Sequence, residues 1–504
     1  MNKAANISAD NTTGKRHFWF GSWLDDSELD TWLNKPADNG PSLLEQHLVR
    51  VMPTPFPFAD FMQACDAIAS ALRPGNPFYE KCRNIVLRTS TANEADDLLK
   101  VISTTLASNA IREKIRCELG VLQPAILSRR YPERQFEAWL PIGCVTHVMP
   151  ANVFAAPILG LIESLMVGNL NLVKISARDT ELTPIFAEEL CRLDPGGKLR
   201  DFIAITRLAS KETERMQRLF AVADAISVWG GETAVAAVRQ AAPAGVRVIT
   251  WGHKISFAYI AAEVSEETGF LAETVSAVAN DVCRLDQQAC SSPQTILVET
   301  DKNPQAARDF AVKLAQTLEK VSPAITAQLP TDSEQAEITT VASVVQAEQA
   351  LGLTEIFADS DDNRWRVFYD TRPGLKPSPL YRTIWVSPIK RSDITATLRP
   401  MRVWLQTCGL ACSLPSLSAL SRALFAAGVT RISRPGEMLD SYAGAPHDGV
   451  YALQQLTRRV SLDGPAAADG VGSLVEFELK PKLAPPTGPI LDKAAFIKLA
   501  ATVG

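Results

Sequence analysis

The stretch from Asp281 to Gln294 carries the residues best suited to covalent chemistry, because Cys290 lies there among polar neighbours. The neighbours that offer hydrogen bonds or stiffen the chain are Gln287, Gln288, Ser291, Ser292 and Pro293. A thiol in a polar, ordered loop is a candidate nucleophile, since reactivity needs access and a stabilised thiolate. The alternative is that Cys290 is one of nine ordinary cysteines, because free cysteine most often behaves as a small buried hydrophobe.

Two regular elements should position this stretch. Residues 264–279 have a helical pattern, and residues 295–299 form a strand-like apolar run. Cys290 is therefore predicted to lie in the loop that connects a helix to a strand. Strands and helices continue to alternate beyond it, so residues 255–440 are predicted to form an α/β catalytic domain.

The preceding region, residues 136–254, alternates strand-like runs with helical ones over about 110 residues, the pattern of a parallel sheet with helices on both faces. Residues 136–254 are therefore predicted to form one α/β domain. Three loops follow predicted strands, at residues 150–153, 176–180 and 230–233. Because ligands of such sheets bind at the carboxyl ends of the strands, these are candidate ligand-binding loops.

A glycine pair marks the third of these loops. This region contains no Gly-x-Gly-x-x-Gly fingerprint, but Gly230 and Gly231 follow a predicted strand and precede a predicted helix. The pair is compatible with a phosphate approaching a helix N-terminus, and equally compatible with a tight turn.

The two ends of the chain carry no motif for chemistry. Residues 1–135 are predicted to be an N-terminal helical lead-in that packs on the domain of residues 136–254, with one amphipathic helix over residues 94–116. Residues 17–23 are aromatic enough to pack against another element, which the pattern does not identify. Residues 441–504 are assigned to a C-terminal segment.

Composition limits the class of protein. With 46% hydrophobic residues, 21% charged residues and a net charge of −5, the chain is typical of a soluble globular protein, and neither nucleic acid nor an anionic membrane is indicated as a partner. Nine cysteines without regular spacing indicate reduced thiols and a cytoplasmic location. Cys408 and Cys412 lack a second ligand pair at metal spacing, so no metal site is predicted.

Six stretches in order resemble the LuxC-like fatty acyl-CoA reductases of the aldehyde dehydrogenase superfamily. They are GCVTHVMPANV at 143–153, GNLNLVKIS at 168–176, WGGE at 229–232, GHKISF at 252–257, DVC at 281–283 with DQQAC at 286–290, and PHDGVY at 446–451. The resemblance implies an α/β, aldehyde dehydrogenase-like fold with a Rossmann-type, dinucleotide-binding cofactor domain over residues 136–254 and an α/β catalytic domain.

The resemblance also implies a reaction. Cys290 would attack an acyl thioester and hold the acyl group, and NADPH would then reduce this enzyme thioester to an aldehyde. Negative charge develops on the acyl oxygen, so an oxyanion hole is needed. Asn152 matches the superfamily's side-chain donor, with the backbone N–H of Cys290 as the second donor. The alternative role for Asn152 is a helix N-cap.

Cofactor contacts are implied in the same way. Lys174 matches the lysine that reaches the adenosine ribose, and Gly230 and Gly231 match the glycine-rich turn before the helix that meets the pyrophosphate.

The type of cofactor follows from residues 176–178. Ala177 stands where NAD-using members often carry a glutamate that bonds the ribose 2′-hydroxyl and repels a 2′-phosphate. With Ser176 and Arg178 beside Ala177, the resemblance favours NADPH. Alternatively, Arg178 is a solvated loop charge.

The sequence departs from the superfamily's pattern at two positions, and two histidines lie within the matching stretches. Thr250 stands where hydrolytic members carry a water-activating glutamate, which is consistent with a reductase. The glutamate that holds the nicotinamide ribose has no evident counterpart. His253 and His447 lie within the matching blocks, and a structural role is favoured over an acid–base role for each.

Two other classes of function remain open. The chain could be a cysteine-dependent acyltransferase or thioesterase without hydride transfer, or a non-catalytic scaffold that docks an acyl-activating partner. The expected partners are an acyl thioester of CoA or of a carrier protein, an acyl-activating synthetase, and further copies of the chain in a homo-oligomer, the last by analogy only.

Overall fold

The computed structural model describes residues 16–88, 90–129, 135–150, 155–176, 181–327, 329–359, 364–463 and 476–478. In these ranges, no helix is both long enough and apolar enough to cross a membrane.

The α-helices of the described ranges are α1 Asp26–Leu33, α2 Leu43–Val51, α3 Phe58–Ala71, α4 Pro77–Val86, α5 Ala92–Leu106, α6 Ser108–Leu119, α7 Ala155–Met166, α8 Leu182–Arg192, α9 Thr213–Ala221, α10 Glu232–Ala241, α11 Ala262–Glu266, α12 Thr268–Cys283, α13 Ala306–Val321, α14 Asp332–Gln349, α15 Ile394–Leu398, α16 Leu414–Ala427 and α17 Ala452–Gln455.

The strands are β1 His17–Trp19, β2 Ser22–Leu24, β3 Ile126–Arg129, β4 Gln135–Pro141, β5 Cys144–Val148, β6 Leu170–Ser176, β7 Ile203–Leu208, β8 Ala225–Trp229, β9 Arg247–Trp251, β10 Ile255–Ile260, β11 Pro293–Glu299, β12 Thr354–Ala358, β13 Arg366–Asp370, β14 Thr383–Ile389, β15 Leu405–Ala411, β16 Arg431–Ser433, β17 Thr457–Asp463 and β18 Glu476–Glu478.

The chain forms two compact units. The first contains the described residues up to Gly252 together with those from Tyr442 onward, and the second runs from His253 to Ser441. The predicted lead-in and the predicted dinucleotide-binding region therefore share one unit, and the chain returns to that unit near its C-terminus.

The first unit is built on a seven-stranded sheet with the order β2-β1-β7-β6-β5-β8-β9. Strands β5 to β9 are parallel, as predicted from the strand–helix alternation. The chain moves from β5 through β6 to β7 on one side and then places β8 and β9 on the other. The strand order therefore reverses between β5 and β8. Open α/β sheets bind ligands at such a switch point, at the carboxyl ends of the strands.

Burial explains why the central strands could be recognised. All but the last residues of β5 and β6 are buried, because helices cover both faces of a parallel sheet, and both strands are accordingly rich in apolar residues.

The aromatic cluster of residues 17–23 extends the first sheet. It forms the β1–β2 hairpin, and β1 pairs antiparallel with β7 through Phe18 opposite Ile205. The mostly helical lead-in thus begins with two strands, which the sequence pattern did not predict.

A separate four-stranded sheet, β17-β4-β3-β18, also belongs to the first unit. Its longest pairing joins β4 to β17 antiparallel, from Gln135 opposite Asp463 to Pro141 opposite Thr457. This sheet was not predicted either.

The second unit contains the sheet β12-β13-β14-β11-β10-β15-β16. It is parallel except at the β12 edge, which pairs antiparallel with β13. Every residue of β10 and β15 is buried, so these two strands form the apolar centre of the unit, as expected for an α/β domain.

Two predicted helices are each divided. The helix expected over residues 94–116 is α5 and α6, separated at Ala107 by an extended ψ of 133°. The helix expected over residues 264–279 is α11 and α12, separated at Glu267 by φ −109° and ψ 112°. The uninterrupted helices predicted there were wrong. Neither break has a proline or glycine at its centre, and for that reason the sequence pattern did not reveal it.

Candidate active site

Cys290 lies in a turn three residues before β11 begins, between α12 and that strand, as predicted. All nine cysteines fall within the described ranges, and Cys290 alone is exposed. Burial is the largest cause that raises the pKa of each of the other eight thiols, to about 11 for Cys283 and Cys412. Those thiols are poor nucleophiles near neutral pH, so Cys290 is the best placed for covalent chemistry.

The turn is held at the amino-terminal ends of three adjacent parallel strands. Ser256, the second residue of β10, pairs with Pro293 at the start of β11 and donates its hydroxyl to the Cys290 carbonyl at 2.7 Å. On the other side of β10, Gln406 is the second residue of β15, and its Nε2 donates to the Cys290 sulfur at 3.3 Å. Neighbouring strands therefore fix both the backbone and the sulfur of Cys290.

A left-handed turn precedes Cys290. Leu285, Asp286 and Gln287 have φ angles of 50°, 47° and 65°, which cost non-glycine residues roughly 1–2 kcal/mol each. The Gln287 side chain donates from Nε2 to the Pro293 carbonyl at 2.8 Å and so closes the loop over six residues. The Asp-Gln-Gln-Ala-Cys segment thus begins with a strained backbone and is restrained by the hydrogen bond from Gln287 to Pro293.

A buried ion pair holds this turn. Arg382 Nε donates to Asp286 Oδ1 at 2.5 Å, with the two side chains 1% and 4% exposed. Arg382 itself lies in a second left-handed run, residues 380–382, and Tyr381 N donates to the Asp286 carbonyl at 3.0 Å. The two strained turns are therefore joined by both backbone and side-chain bonds.

Both terminal nitrogens of Arg382 also donate hydrogen bonds. Its Nη1 bonds the Ser322 carbonyl and hydroxyl at 2.8 and 2.7 Å, and its Nη2 bonds the Ile325 carbonyl at 3.0 Å. A buried guanidinium satisfied in this way is a structural group, so Arg382 acts on the site by positioning the Asp286 turn.

The predicted cofactor residues lie in the first unit. Lys174 is on β6, opposite Val148 of β5 and Thr206 of β7, and only 8% exposed. Ser176 is the last residue of the same strand. Because β6, β5 and β8 are adjacent and parallel, the carboxyl ends of these three strands lie along the same edge of the sheet.

The glycine pair lies at the same edge. Gly230 and Gly231 connect β8 to α10, and Gly231 is the N-cap of that helix without a side-chain hydrogen bond to its first turn. Asn152, Ala177 and Arg178 lie outside the described residues, so their predicted roles stay predictions.

Thr250 and the two histidines of the matching stretches, His253 and His447, lie in different environments. Thr250 lies within β9, and His253 is exposed in the segment after it. His447 stacks on Trp251 with ring centroids 4.8 Å apart and an interplanar angle of 25°. His447 is therefore part of an aromatic packing cluster with Trp251 and Trp229.

Three residues of the site were missed from the sequence. Ser256 lies in the GHKISF block, but nothing there indicated a role. Gln406 and Arg382 lie 116 and 96 residues from their partners in the Cys290 loop, and neither belongs to a local motif. Only the pairing of the strands brings them to the site.

Comparison with protein families gives one match over most of the chain. The family model described as "Acyl-CoA reductase (LuxC)" matches residues 65–459.

Curated relatives carry related names. The chain is 26% identical over 328 residues to the long-chain acyl-protein thioester reductase of Vibrio harveyi, a match that covers 64% of this chain and 65% of that protein. It is 24% identical over 378 residues to the protein of the same name from Photorhabdus luminescens, covering 72% and 75%. The chain thus spans slightly less than two thirds of the first relative's length.

Solved structures with a similar fold include aldehyde dehydrogenases. A benzaldehyde dehydrogenase from Corynebacterium glutamicum has a TM-score of 0.61 at 13% identity, covering 91% of this chain and 100% of that chain. A methylmalonate-semialdehyde dehydrogenase from Oceanimonas doudoroffii has a TM-score of 0.64 at 13% identity, covering 91% and 99%. At such identities these likenesses show the fold alone, and they confirm the predicted aldehyde dehydrogenase-like class.

Proposed function

Since the chain belongs to the acyl-CoA reductase (LuxC) family, we propose that it reduces an acyl thioester to the aldehyde, with Cys290 as the acyl carrier and NADPH as the reductant. The observation that carries the proposal is the exposed thiol of Cys290, whose sulfur accepts from Gln406 and whose carbonyl accepts from Ser256, while burial raises the pKa of each of the other eight thiols. A fixed, accessible sulfur is what attack on a thioester requires.

The proposed reaction consists of acyl transfer to Cys290, hydride transfer and release of the aldehyde. The Cys290 sulfur bonds the acyl carbon, and the donor thiol leaves with the electron pair of its broken C–S bond. When bound, NADPH would supply a hydride to the acyl carbon, which gives the oxyanion of the hemithioacetal on Cys290. The C–S bond to Cys290 then breaks, which releases the aldehyde and returns the thiolate.

The carboxyl edge of the first sheet suits a dinucleotide. Gly231 is the N-cap of α10 and adds no side chain there, and helix N-termini are common binding sites for phosphate oxygens. Lys174 and Ser176 lie on β6, which is next to β5 at the same edge, and we propose that they contact the adenosine ribose. Arg178 would extend these contacts to a 2′-phosphate.

NADPH is predicted to be preferred over NADH, because Ala177 provides no carboxylate to bind a free 2′-hydroxyl. The measurement is kcat/KM for the two cofactors at saturating acyl thioester. Ala177→Glu should shift the ratio toward NADH by charge repulsion with the 2′-phosphate, whereas Ala177→Gln, which adds similar bulk without charge, should shift it less. Equal values for the two cofactors in the unmodified enzyme would contradict the preference.

Asn152 is predicted to donate to the acyl oxygen where negative charge develops. Asn152→Ala should lower kcat by about 10²–10³-fold, the usual effect of removing one oxyanion-hole donor. Turnover per folded enzyme and the thermal unfolding midpoint should be measured together. A lowered midpoint with unchanged turnover would instead identify Asn152 as a helix cap.

The acyl-enzyme is predicted to persist without NADPH, because Thr250 has no carboxylate to activate water and general-base help is typically worth about 10²–10⁴-fold. The enzyme is acylated, freed of excess substrate, and the adduct is followed by intact mass with and without cofactor. Thr250→Glu should accelerate loss of the adduct to free acid, and Thr250→Gln should not. Rapid hydrolysis in the unmodified enzyme would point to another base, with His253 the first to test.

The acyl donor is proposed to be long-chain and bound to CoA or to a protein, by analogy with the relatives named acyl-protein thioester reductases. An acyl-activating synthetase as partner and a homo-oligomeric assembly are proposed on the same analogy.

The deciding experiment is NADPH oxidation, followed by absorbance over a series of acyl-CoA chain lengths and with aldehyde identified as product. Oxidation that depends on acyl thioester supports the reductase. Acylation of Cys290 without NADPH oxidation would favour the acyltransferase or thioesterase, and absence of both would favour the scaffold.

A further inference from the structure

Gln406 is placed against the sulfur of Cys290 by a strand that carries none of the family's matching stretches. It is 6% exposed, and its Nε2 lies 3.3 Å from the sulfur. A primary amide that donates to sulfur stabilises the thiolate more than the thiol, because hydrogen bonds to a charged acceptor are stronger than those to a neutral one.

The orientation of this amide is fixed from its other end. The Thr407 hydroxyl donates to Gln406 Oε1 at 3.4 Å, which directs the amide oxygen away from the sulfur and the NH₂ group toward it. The backbone of Gln406 is also anchored, since Thr430 donates from its N and its hydroxyl to the Gln406 carbonyl at 3.0 and 3.2 Å.

Four polar or charged side chains near the loop bond groups other than the sulfur. The Ser256 hydroxyl donates to the Cys290 carbonyl and accepts from Thr407 N at 3.1 Å. Asp286 and Arg382 bond each other. On the segment before β10, Lys254 donates from Nζ to the Val403 carbonyl at 3.1 Å. Among the residues that the structure describes in this unit, Gln406 is therefore the side chain whose hydrogen bond reaches the sulfur.

We propose that Gln406 is a catalytic residue whose amide donates to the Cys290 thiolate, both when the sulfur attacks the acyl group and when it leaves the hemithioacetal. The second role rests on the proposed reductase function. In attack, the S–C bond forms and the donor thiolate departs and is protonated from solvent. In collapse, the same S–C bond breaks and its electron pair returns to the sulfur, so Gln406 stabilises the leaving group as well as the nucleophile.

The first test needs neither substrate nor cofactor. Alkylation of Cys290 by iodoacetamide is measured as a function of pH, with the modified peptide quantified by mass spectrometry so that the other cysteines do not contribute. Gln406→Leu should move the midpoint of the rate–pH profile upward by about one pH unit and slow alkylation near pH 7 about tenfold, while the plateau rate at high pH stays close to that of the unmodified protein.

Two further variants sharpen the result. Gln406→Glu keeps the size of the side chain but places a carboxylate beside the sulfur, so its midpoint should lie above that of Gln406→Leu. Gln349→Leu removes an exposed glutamine at the end of α14 in the same unit, and its profile should match the unmodified protein. Thermal unfolding confirms that each variant is folded.

The outcomes separate this proposal from the proposed function. An unchanged profile in folded Gln406→Leu and Gln406→Glu would overturn the role of Gln406, even if the enzyme proves to be a reductase. A shifted profile in a protein that reduces no acyl thioester would support the contact with the nucleophile and overturn the reductase. If both hold, single-turnover aldehyde release in Gln406→Leu should also slow about tenfold.

Discussion

Replacing Cys290 with alanine is expected to abolish aldehyde formation while leaving the fold intact. The exposed side chain contributes little to packing, and the bond from the Ser256 hydroxyl goes to the Cys290 carbonyl, which alanine keeps. No other thiol can replace it, because burial raises the pKa of each of the other eight. Intact mass after incubation with acyl-CoA should show one acyl adduct on the unmodified protein and none on Cys290→Ala.

A matched control is available in the same unit. Cys412 is half-buried and follows β15, and Cys412→Ala should keep both the adduct and the activity. An adduct that persists on Cys290→Ala would place the nucleophile elsewhere, and peptide mapping would identify it.

Replacing Arg382 with methionine is expected to destabilise the second unit by about 3–5 kcal/mol, the usual cost of leaving one member of a buried ion pair alone. Asp286 would become a buried, uncompensated carboxylate, and the Ser322 and Ile325 carbonyls would lose their donor. Denaturant unfolding measures the change in free energy.

A double variant tests whether the lone charge is the cause. Arg382→Met combined with Asp286→Leu removes both charges, and apolar replacement of a whole buried pair is often neutral or stabilising. The double variant should therefore recover much of the loss. If it is as unstable as Arg382→Met, the carbonyl bonds rather than the ion pair account for the effect.

The two parallel sheets could be predicted from the sequence because their strands are covered on both faces. Strands such as β6 and β10 are nearly or wholly buried and read as short apolar runs between helical patterns. The alternation of these strands with helices along the chain then predicted parallel sheets. The same alternation placed Cys290 in the loop between α12 and β11.

The remaining features depend on contacts distant in sequence. Strand β4 is paired by β17 more than 300 residues away, and Gln406 meets Cys290 only because β15 and β11 both flank β10. The break at Ala107 lies among Ser, Thr and Asn residues, which are weaker helix formers, but no proline or glycine marks its position. The spacing of residues along the sequence does not predict such long-range contacts.

The return of the chain to its first unit imposes an order on synthesis. The described residues of the second unit are contiguous, so all of its described strands have left the ribosome once Ser441 has emerged. The first unit must still wait for β17 to pair with β4, and for Leu456, whose carbonyl accepts from Asn169 Nδ2 at 2.9 Å. Until then the β4 edge is an unpaired template for aggregation, so the nascent chain carries its greatest risk of misassembly in the unit that began first.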